Sequence, residues 1–388
     1  MRRIYLDHAA TTPVRSEVAE VMTRYLTANW GNPSSPHSTG QEARKGMDDA
    51  RKYIANLINA SPEEIIFTSG GTEADNFALK GVTYTRDKKQ HFITTKIEHH
   101  AVLHCAEALE KEGHAVTYLD VDSDGLVDPD DVRRAIRKDT ALVSVMLANN
   151  EVGTVEPVAE IARICREHGV LFHTDAVQAV GQIPVDVKKL GVDLLSMSAH
   201  KLYGPKGIGA LYVRKGVKIA PILYGGAQER GRRPGTENVP GIAGFGKAAE
   251  LAAAELNEHR EKLTRLREKL IEEIFRRIED VKLNGHRRRR LPGNVNVSIK
   301  YVEGESILLN LDLKGIAASS GSACMSGTLE PSHVLLAMGI PREVAHGSLR
   351  MTLGTSNTED DIDYVVDVLE ETVKKLRAMS PLASPGRC

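Results

Sequence analysis

The chain has 388 residues, 41% of them hydrophobic, and a formal net charge of −1. That length can bury a large core and points to two domains, while the near-neutral balance argues against nucleic acid as the main partner. Four cysteines without close pairing exclude a disulfide framework and suit a reducing cytoplasm; neither a signal peptide nor a stretch long enough to cross a bilayer is visible.

Helical patterns are predicted over 16–28 and 41–58, then strands at 64–67, 92–96, 116–119, 142–146, 170–174, 194–197 and 208–213, mostly separated by helices. Such alternation predicts an α/β fold with a mostly parallel, doubly wound sheet covered by helices on both faces. A charged, alanine-rich helix over 241–278 bridges to strands near 295–299 and 348–352 and helices at 305–311 and 359–378. These form a smaller C-terminal α/β unit that the N-terminal segment is expected to join. The expected division is a large domain over 14–260 and a small one built from 1–13 and 261–388. Ion-pair spacing along 241–278 fits a heat-adapted source or simply a solvated face.

Three features invite a binding reading and are set aside. Asp120-Val121-Asp122-Ser123-Asp124-Gly125, with Asp128 and Asp131, matches much of a calcium loop, but a strand precedes it and Pro129 interrupts it, so a strand-to-helix turn is expected. The basic run His286-Arg287-Arg288-Arg289-Arg290 lacks interleaved aromatics and reads as a solvated loop rather than an anionic-partner patch. His99 and His100 are adjacent on a helix start and point to different faces, which does not make a metal pair.

Three segments carry chemistry. In Ser196-Met197-Ser198-Ala199-His200-Lys201-Leu202-Tyr203-Gly204 an apolar strand ends in a lysine placed to form a Schiff base; a surface lysine is the plain alternative. In Val170-Leu171-Phe172-His173-Thr174-Asp175-Ala176-Val177-Gln178 a carboxylate stands at a strand's carboxyl end, where open α/β sheets bind ligands. There it could pair with the protonated pyridine nitrogen of pyridoxal phosphate (PLP), with Gln178 reaching the ring hydroxyl; taken alone, Asp175 is as readily a helix N-cap. In Ile65-Ile66-Phe67-Thr68-Ser69-Gly70-Gly71-Thr72-Glu73 a buried strand, two glycines and a helix expected to start near Glu73 make a phosphate site, with Gly71 and Thr72 as candidates.

In order along the chain, these motifs resemble the cysteine desulfurases of the NifS/IscS kind, within the fold-type I PLP-dependent transferases. The likeness spans nearly the whole sequence. It includes Tyr5-Leu6-Asp7-His8-Ala9-Ala10-Thr11-Thr12-Pro13, Gly31-Asn32-Pro33-Ser34-Ser35-Pro36-His37, Glu98-His99-His100-Ala101-Val102, Ala148-Asn149-Asn150-Glu151-Val152-Gly153, Arg233-Pro234-Gly235-Thr236-Glu237-Asn238 and Ser319-Ser320-Gly321-Ser322-Ala323-Cys324-Met325-Ser326. The resemblance implies that Lys201 holds PLP, Asp175 pairs with its ring nitrogen, Gln178 bonds its ring oxygen, and His99 stacks on it and moves protons. It further implies a phosphate site from Thr72, Ser198 and His200 with Thr236 of the other subunit of a homodimer, and a substrate carboxylate held by Asn150 and Arg350. On spacing alone His99 is equally a helix cap, and Arg350 an outward strand position.

Cys324 decides the chemistry, because serine, glycine and alanine around it read as an exposed loop in which a thiolate reaches both substrate and acceptor. Cys105 and Cys165 sit on apolar helical stretches and read as core; Cys388 is assigned nothing. The implied reaction converts L-cysteine to L-alanine, with Lys201 removing the α-proton and Cys324 taking the sulfur as a persulfide. The sulfur then passes to an iron–sulfur scaffold protein or another thiol carrier, and Cys324 is also a candidate transient cluster ligand. The serine-rich run resembles the long-loop group. Two other readings compete: another PLP enzyme of this fold, such as an aminotransferase or selenocysteine lyase, and a non-catalytic assembly platform. Met325 in place of the usual threonine, and Gly354-Thr355-Ser356-Asn357 after Arg350, depart from the family pattern without removing a role.

Overall fold

The computed structural model describes residues 3–320 and 331–379. Beyond a two-residue strand β1 (Ile4–Tyr5), two helices, α1 (Ser16–Thr27) and α2 (Ser38–Leu57), lead into an alternating stretch. It comprises β2 (Ile65–Thr68), α3 (Gly71–Thr83), β3 (His91–Thr95), α4 (His100–Lys111), β4 (Ala115–Leu119), α5 (Pro129–Ala135), β5 (Thr140–Ser144), α6 (Val158–Glu167), β6 (Leu171–Asp175), the single turn α7 (Val187–Leu190), β7 (Leu194–Ser198) and β8 (Gly209–Val213). These strands form a seven-stranded sheet in the order β2-β8-β7-β6-β5-β3-β4. It is parallel from β7 through β4, and only β8 runs against its neighbours. Every residue of β2, β3, β5, β7 and β8 is buried, as expected of strands covered on both faces, so they read as near-continuous apolar runs.

The remainder holds the short α8 (Gln228–Gly231), the long α9 (Val239–Arg277), β9 (Val281–Leu283), β10 (Asn294–Ile299), α10 (Gly304–Leu313), β11 (Ile316–Ala317), α11 (His333–Ala337), α12 (Arg342–Ala345), β12 (Ser348–Thr352) and α13 (Glu359–Met379). β10 pairs antiparallel with β12 and β9, while β1 pairs parallel with β11. Short β9 and β11 are absent from the expected elements; two or three residues carry too little alternation to register. Helix α9 serves two cores. Its first half places Ile242, Phe245 and Ala249 against the large sheet's core, and its second half places Leu263, Leu270 and Ile274 in a core shared with Ile4, Leu6, Val297, Leu349 and Leu369. The N-terminal segment thus joins the C-terminal core. A further cluster packs Val334, Leu335 and Met338 on Ile97, Met146 and Val152.

Two of the discarded features resolve differently. The acidic segment is a turn: Asp122 Oδ1 accepts from Asp124 N and Leu126 N, both at 2.9 Å, and Asp128 caps α5 through Asp130 N at 2.9 Å. The basic run departs from a solvated loop at its end. Arg290 is buried, donates to the Val152 carbonyl at 2.8 Å and to the Asn284 carbonyl, and burial holds its pKa down at about 9. The Val152 carbonyl that helps turn it inward lies 138 residues back along the chain, which no local pattern shows.

Glu229 fastens the loop before α9 to the sheet. It lies in the left-handed region (φ 46°), costly for a non-glycine residue, yet its carboxylate forks onto buried Arg51 at 2.6 and 2.8 Å and accepts Phe67 N at 2.9 Å. Arg51 also donates to the Ile65 carbonyl at 2.7 Å. Removing one member of such a pair strands a buried charge. Glu229→Ala is therefore expected to lose about 3–5 kcal/mol in denaturant unfolding, and adding Arg51→Met should restore much of that loss.

Candidate active site

The carboxyl ends of β2, β6 and β7 meet at one edge of the sheet, and the expected site residues gather there. Asp175, the last residue of β6, is buried and accepts Val177 N at 2.9 Å through Oδ1. A turn follows rather than a helix, so Asp175 is not an N-cap. Burial pushes its pKa up to about 6, opposed by the Val177 N–H and the charge of Lys201. Lys201 ends a single helical turn after β7. Its Nζ donates to the Ala9 carbonyl and, at 2.8 Å, to that of Ala10. Gln178 Nε2 reaches the same Ala9 carbonyl at 2.9 Å. The amine and the amide thus converge on one backbone oxygen of the N-terminal segment.

His99 caps α4, accepting Ala101 N through Nδ1 at 3.1 Å. Burial first, then the charge of Lys201, lowers its pKa to about 4, so the ring is neutral near pH 7 and able to accept a proton. His99 is thus a helix cap that also feels the charge of the lysine.

Helix α3 begins at Gly71, two residues before the expected start, which puts Gly71 and Thr72 in the first turn where backbone N–H groups are free. The N-cap, Gly70, has φ +156° and faces Ser198: a Cβ there would lie 3.9 Å from Ser198 Oγ. Gly209 pairs with both Thr68 and Ser198, and a Cβ on it would sit 2.7 Å from the Gly70 carbonyl carbon. Only glycine lets these backbones close into a shallow cradle beneath the helix end. His200 contributes a ring whose Nδ1 is 3.2 Å from Thr11 Oγ1, and burial followed by the charges of Lys201 and Lys206 lowers its pKa to about 4. Thr236 is exposed on the loop between α8 and α9; three residues earlier Arg233 ties that loop to Glu73 at 2.8 and 3.1 Å.

Arg350 on β12 is buried rather than outward. Its Nη1 donates to the Asn150 carbonyl at 3.1 Å and its Nη2 to Asp7 Oδ1 at 3.0 Å, while Nε has no hydrogen-bond partner. Its backbone exchanges two bonds with Ser319, N–H to carbonyl at 3.1 and 2.6 Å. Cys324 and Met325 lie outside the described residues. Cys105 and Cys165 are buried, and burial raises each thiol to about 12, which disqualifies both as nucleophiles near neutral pH. No group of ligating side chains suited to a metal occurs among the described residues.

Several participants escaped sequence reasoning. Asp7, Ala9 and Ala10 act through one side chain and two carbonyls; their motif was visible, but its contacts lie about 190 and 340 residues away. Behind Asp175, buried Asp75 and Glu98 are held well above the usual carboxylate range by burial, with the charge of Asp175 adding to it. His173, between Ser144 Oγ at 2.8 Å and Ser196 Oγ at 3.0 Å, is held down at about 3 by burial.

Residues 4–365 match the family model of class-V aminotransferases. The chain belongs to the class-V aminotransferase family. Within it, the chain is 58% identical over 381 residues to a protein of Dictyoglomus turgidum named cysteine desulfurase IscS, covering 98% of this chain and 97% of that one. A protein of the same name from Methanosarcina thermophila is 57% identical, covering 98% and 94%. Among solved structures, a NifS-like protein superposes with TM-score 0.91 at 41% identity over 96% of this chain and all of that one. SspA in complex with cysteine gives TM-score 0.81 at 36% identity, over 90% and 98%. The family membership agrees with the expected fold: an α/β unit with a mostly parallel sheet, as in these NifS-like neighbours.

Asp175 supplies a test of the site's electrostatics. Its folded pKa, about 6, lies above the ordinary 3.8. The folded state therefore holds the proton more tightly, and stability falls as pH rises from about 4 through 6. Without cofactor, Asp175→Asn keeps the acceptor for Val177 N and avoids burying an anion. Its melting temperature should exceed that of the wild type above pH 6, and the difference should vanish below about pH 4, as read by calorimetry across pH.

Proposed function

We propose that the chain is a PLP-dependent cysteine desulfurase that converts L-cysteine to L-alanine and passes the sulfur, by way of a persulfide on Cys324, to an acceptor for iron–sulfur cluster assembly. The observation that carries this reading is the meeting of Lys201, Asp175, Gln178 and His99 at one sheet edge in a chain whose relatives, over nearly its full length, bear that name. A solved neighbour is described as bound to cysteine, which supports the substrate.

The donor set fits PLP. Lys201 would hold its aldehyde, Asp175 its ring nitrogen, Gln178 its ring oxygen and His99 its face, and the glycine cradle at Gly70 and Gly71, with Thr72, Ser198 and His200, would take the phosphate. When bound, PLP supplies an aldehyde that condenses with amines and a ring that accepts electrons from the substrate's α-carbon. The chain's residues do the rest. Asp175 offers a carboxylate to the ring nitrogen. The freed Lys201 amine takes the α-proton, and neutral His99 beside it takes and returns protons. Arg350, with Asn150, binds the substrate carboxylate, a task suited to the fork of guanidinium N–H groups. The Cys324 thiolate attacks the substrate sulfur, the carbon–sulfur bond breaks, the carbon fragment is protonated to L-alanine, and Cys324 keeps the sulfur as a persulfide.

In the same proposal the protein is a homodimer in which Thr236 completes the phosphate site of the partner subunit, a role open to it because its side chain is exposed. The sulfur acceptor is an iron–sulfur scaffold protein or another thiol carrier, and the reaction takes place in the cytoplasm. Among the described residues no helix is long and apolar enough to cross a membrane. The division into residues 14–260 and 1–13 with 261–388 is supported by the two cores that share α9.

Purified protein given PLP and L-cysteine should release L-alanine and carry a persulfide detectable by mass spectrometry. Cys324→Ala should lose the persulfide and at least a hundredfold in alanine release, and Lys201→Ala should lose turnover altogether. Sulfide release by Cys324→Ala at the wild-type rate would overturn the proposal in favour of a lyase acting without a thiol.

A further inference from the structure

We propose that Asp7 is a positioning residue that sets the orientation of Arg350 for the substrate's carboxylate. The proposal rests on the reading of Arg350 as the carboxylate-binding residue. Three observations support it.

First, Asp7 is itself held rigidly. It bridges to Thr352, two residues from Arg350 on the same strand; its carbonyl accepts from Tyr5 Oη at 2.9 Å and from Ala10 N at 3.0 Å. The side chain therefore enters from a fixed point rather than from a mobile terminus. Second, its carboxylate engages only one edge of the guanidinium, Nη2 at 3.0 Å, while Nη1 is taken by the Asn150 carbonyl at 3.1 Å. Nε, buried, is left without a partner, an arrangement that costs free energy in the free protein and that an incoming carboxylate could relieve.

Third, a second acid acts on Arg350. Glu151 is buried and feels the positive charge of Arg350, which with the Ser332 hydroxyl offsets a burial that raises its pKa to about 7. The two acids differ in depth: in the Asp7–Arg350 pair the Asp7 side chain is 20% exposed and that of Arg350 4%, whereas Glu151 as a whole is 4% exposed. Asp7, the more exposed acid, is the one bonded to the fork, at Nη2. Without Asp7, Nη2 loses its carboxylate partner, and Glu151 is the remaining acid whose charge acts on Arg350.

Asp7→Ala is thus expected to raise KM for L-cysteine about tenfold with kcat within twofold of wild type. Asp7→Asn, which keeps the acceptor at Oδ1, should stay within about threefold in KM. Equilibrium binding separates positioning from general damage. L-Alanine and ethylamine differ only by the carboxylate, and their binding to the PLP-loaded protein can be followed by visible absorbance. Asp7→Ala should weaken L-alanine about tenfold and leave ethylamine unchanged, and in an Arg350→Ala background it should have no further effect on L-alanine. Unchanged or tighter L-alanine binding in Asp7→Ala, or equal weakening of both ligands, would overturn the inference. If Arg350→Ala alone leaves L-alanine affinity intact, it is the assignment of Arg350 that fails.

Discussion

The Ala9 carbonyl accepts from both Lys201 and Gln178, and this shared oxygen is the contact around which the site is arranged. A carbonyl has two lone pairs, so it can seat two donors at once, and here it joins the ends of β6 and β7 to a segment that begins in the other core. That segment is anchored on both sides. Ile4 and Leu6 are buried with the C-terminal strands, Ala9 N bonds Thr352 Oγ1 at 2.8 Å, and Thr12 bonds the backbone of His200 and Tyr203. Eight or nine residues near the N-terminus therefore fix the distance between the sheet edge carrying Lys201 and the strand carrying Arg350. Under the proposed function, a substrate that gives up its α-proton at one residue and is held by its carboxylate at the other depends on that distance.

The electrostatics of the sheet edge follow from burial. Asp75 and Glu98 are buried and feel the charge of Asp175, and burial with that like charge disfavours ionisation of all three together. The outcome is a division in which burial pushes Asp75 and Glu98 well above the usual carboxylate range and holds His173 down, while Asp175, which feels the charge of Lys201, is raised only to about 6. The anion is thereby confined to the position where, under the proposed function, a ring nitrogen would meet it. Neutral His99 belongs to the same scheme, lowered by burial and by the neighbouring amine.

Much of this was legible along the chain. The strands of the large sheet declare themselves as apolar runs because both faces are covered, and Lys201, Asp175 and Gly71 fall where runs end, the positions at which an open α/β sheet presents side chains to ligands. The signal weakened wherever a residue's role depended on distant neighbours. Arg350 alternates with apolar residues and so looks solvated, yet Asp7 and the Asn150 carbonyl draw it inside. Arg290 closes a run of charges that looks like a surface patch, but the distant Val152 carbonyl, with those of Asn284 and His286, receives it.

The amino-acid sequence by itself determined the order of elements, the family, and the residue types able to do amine, carboxylate and thiol chemistry, because these are properties of local pattern and of side-chain identity. Only the tertiary structure decided which carboxylates are pushed above their usual range, that Arg350 is buried, and that two alanine carbonyls gather the lysine and the glutamine. Those outcomes depend on desolvation and on contacts between residues hundreds of positions apart, and neither quantity exists until the chain has closed on itself.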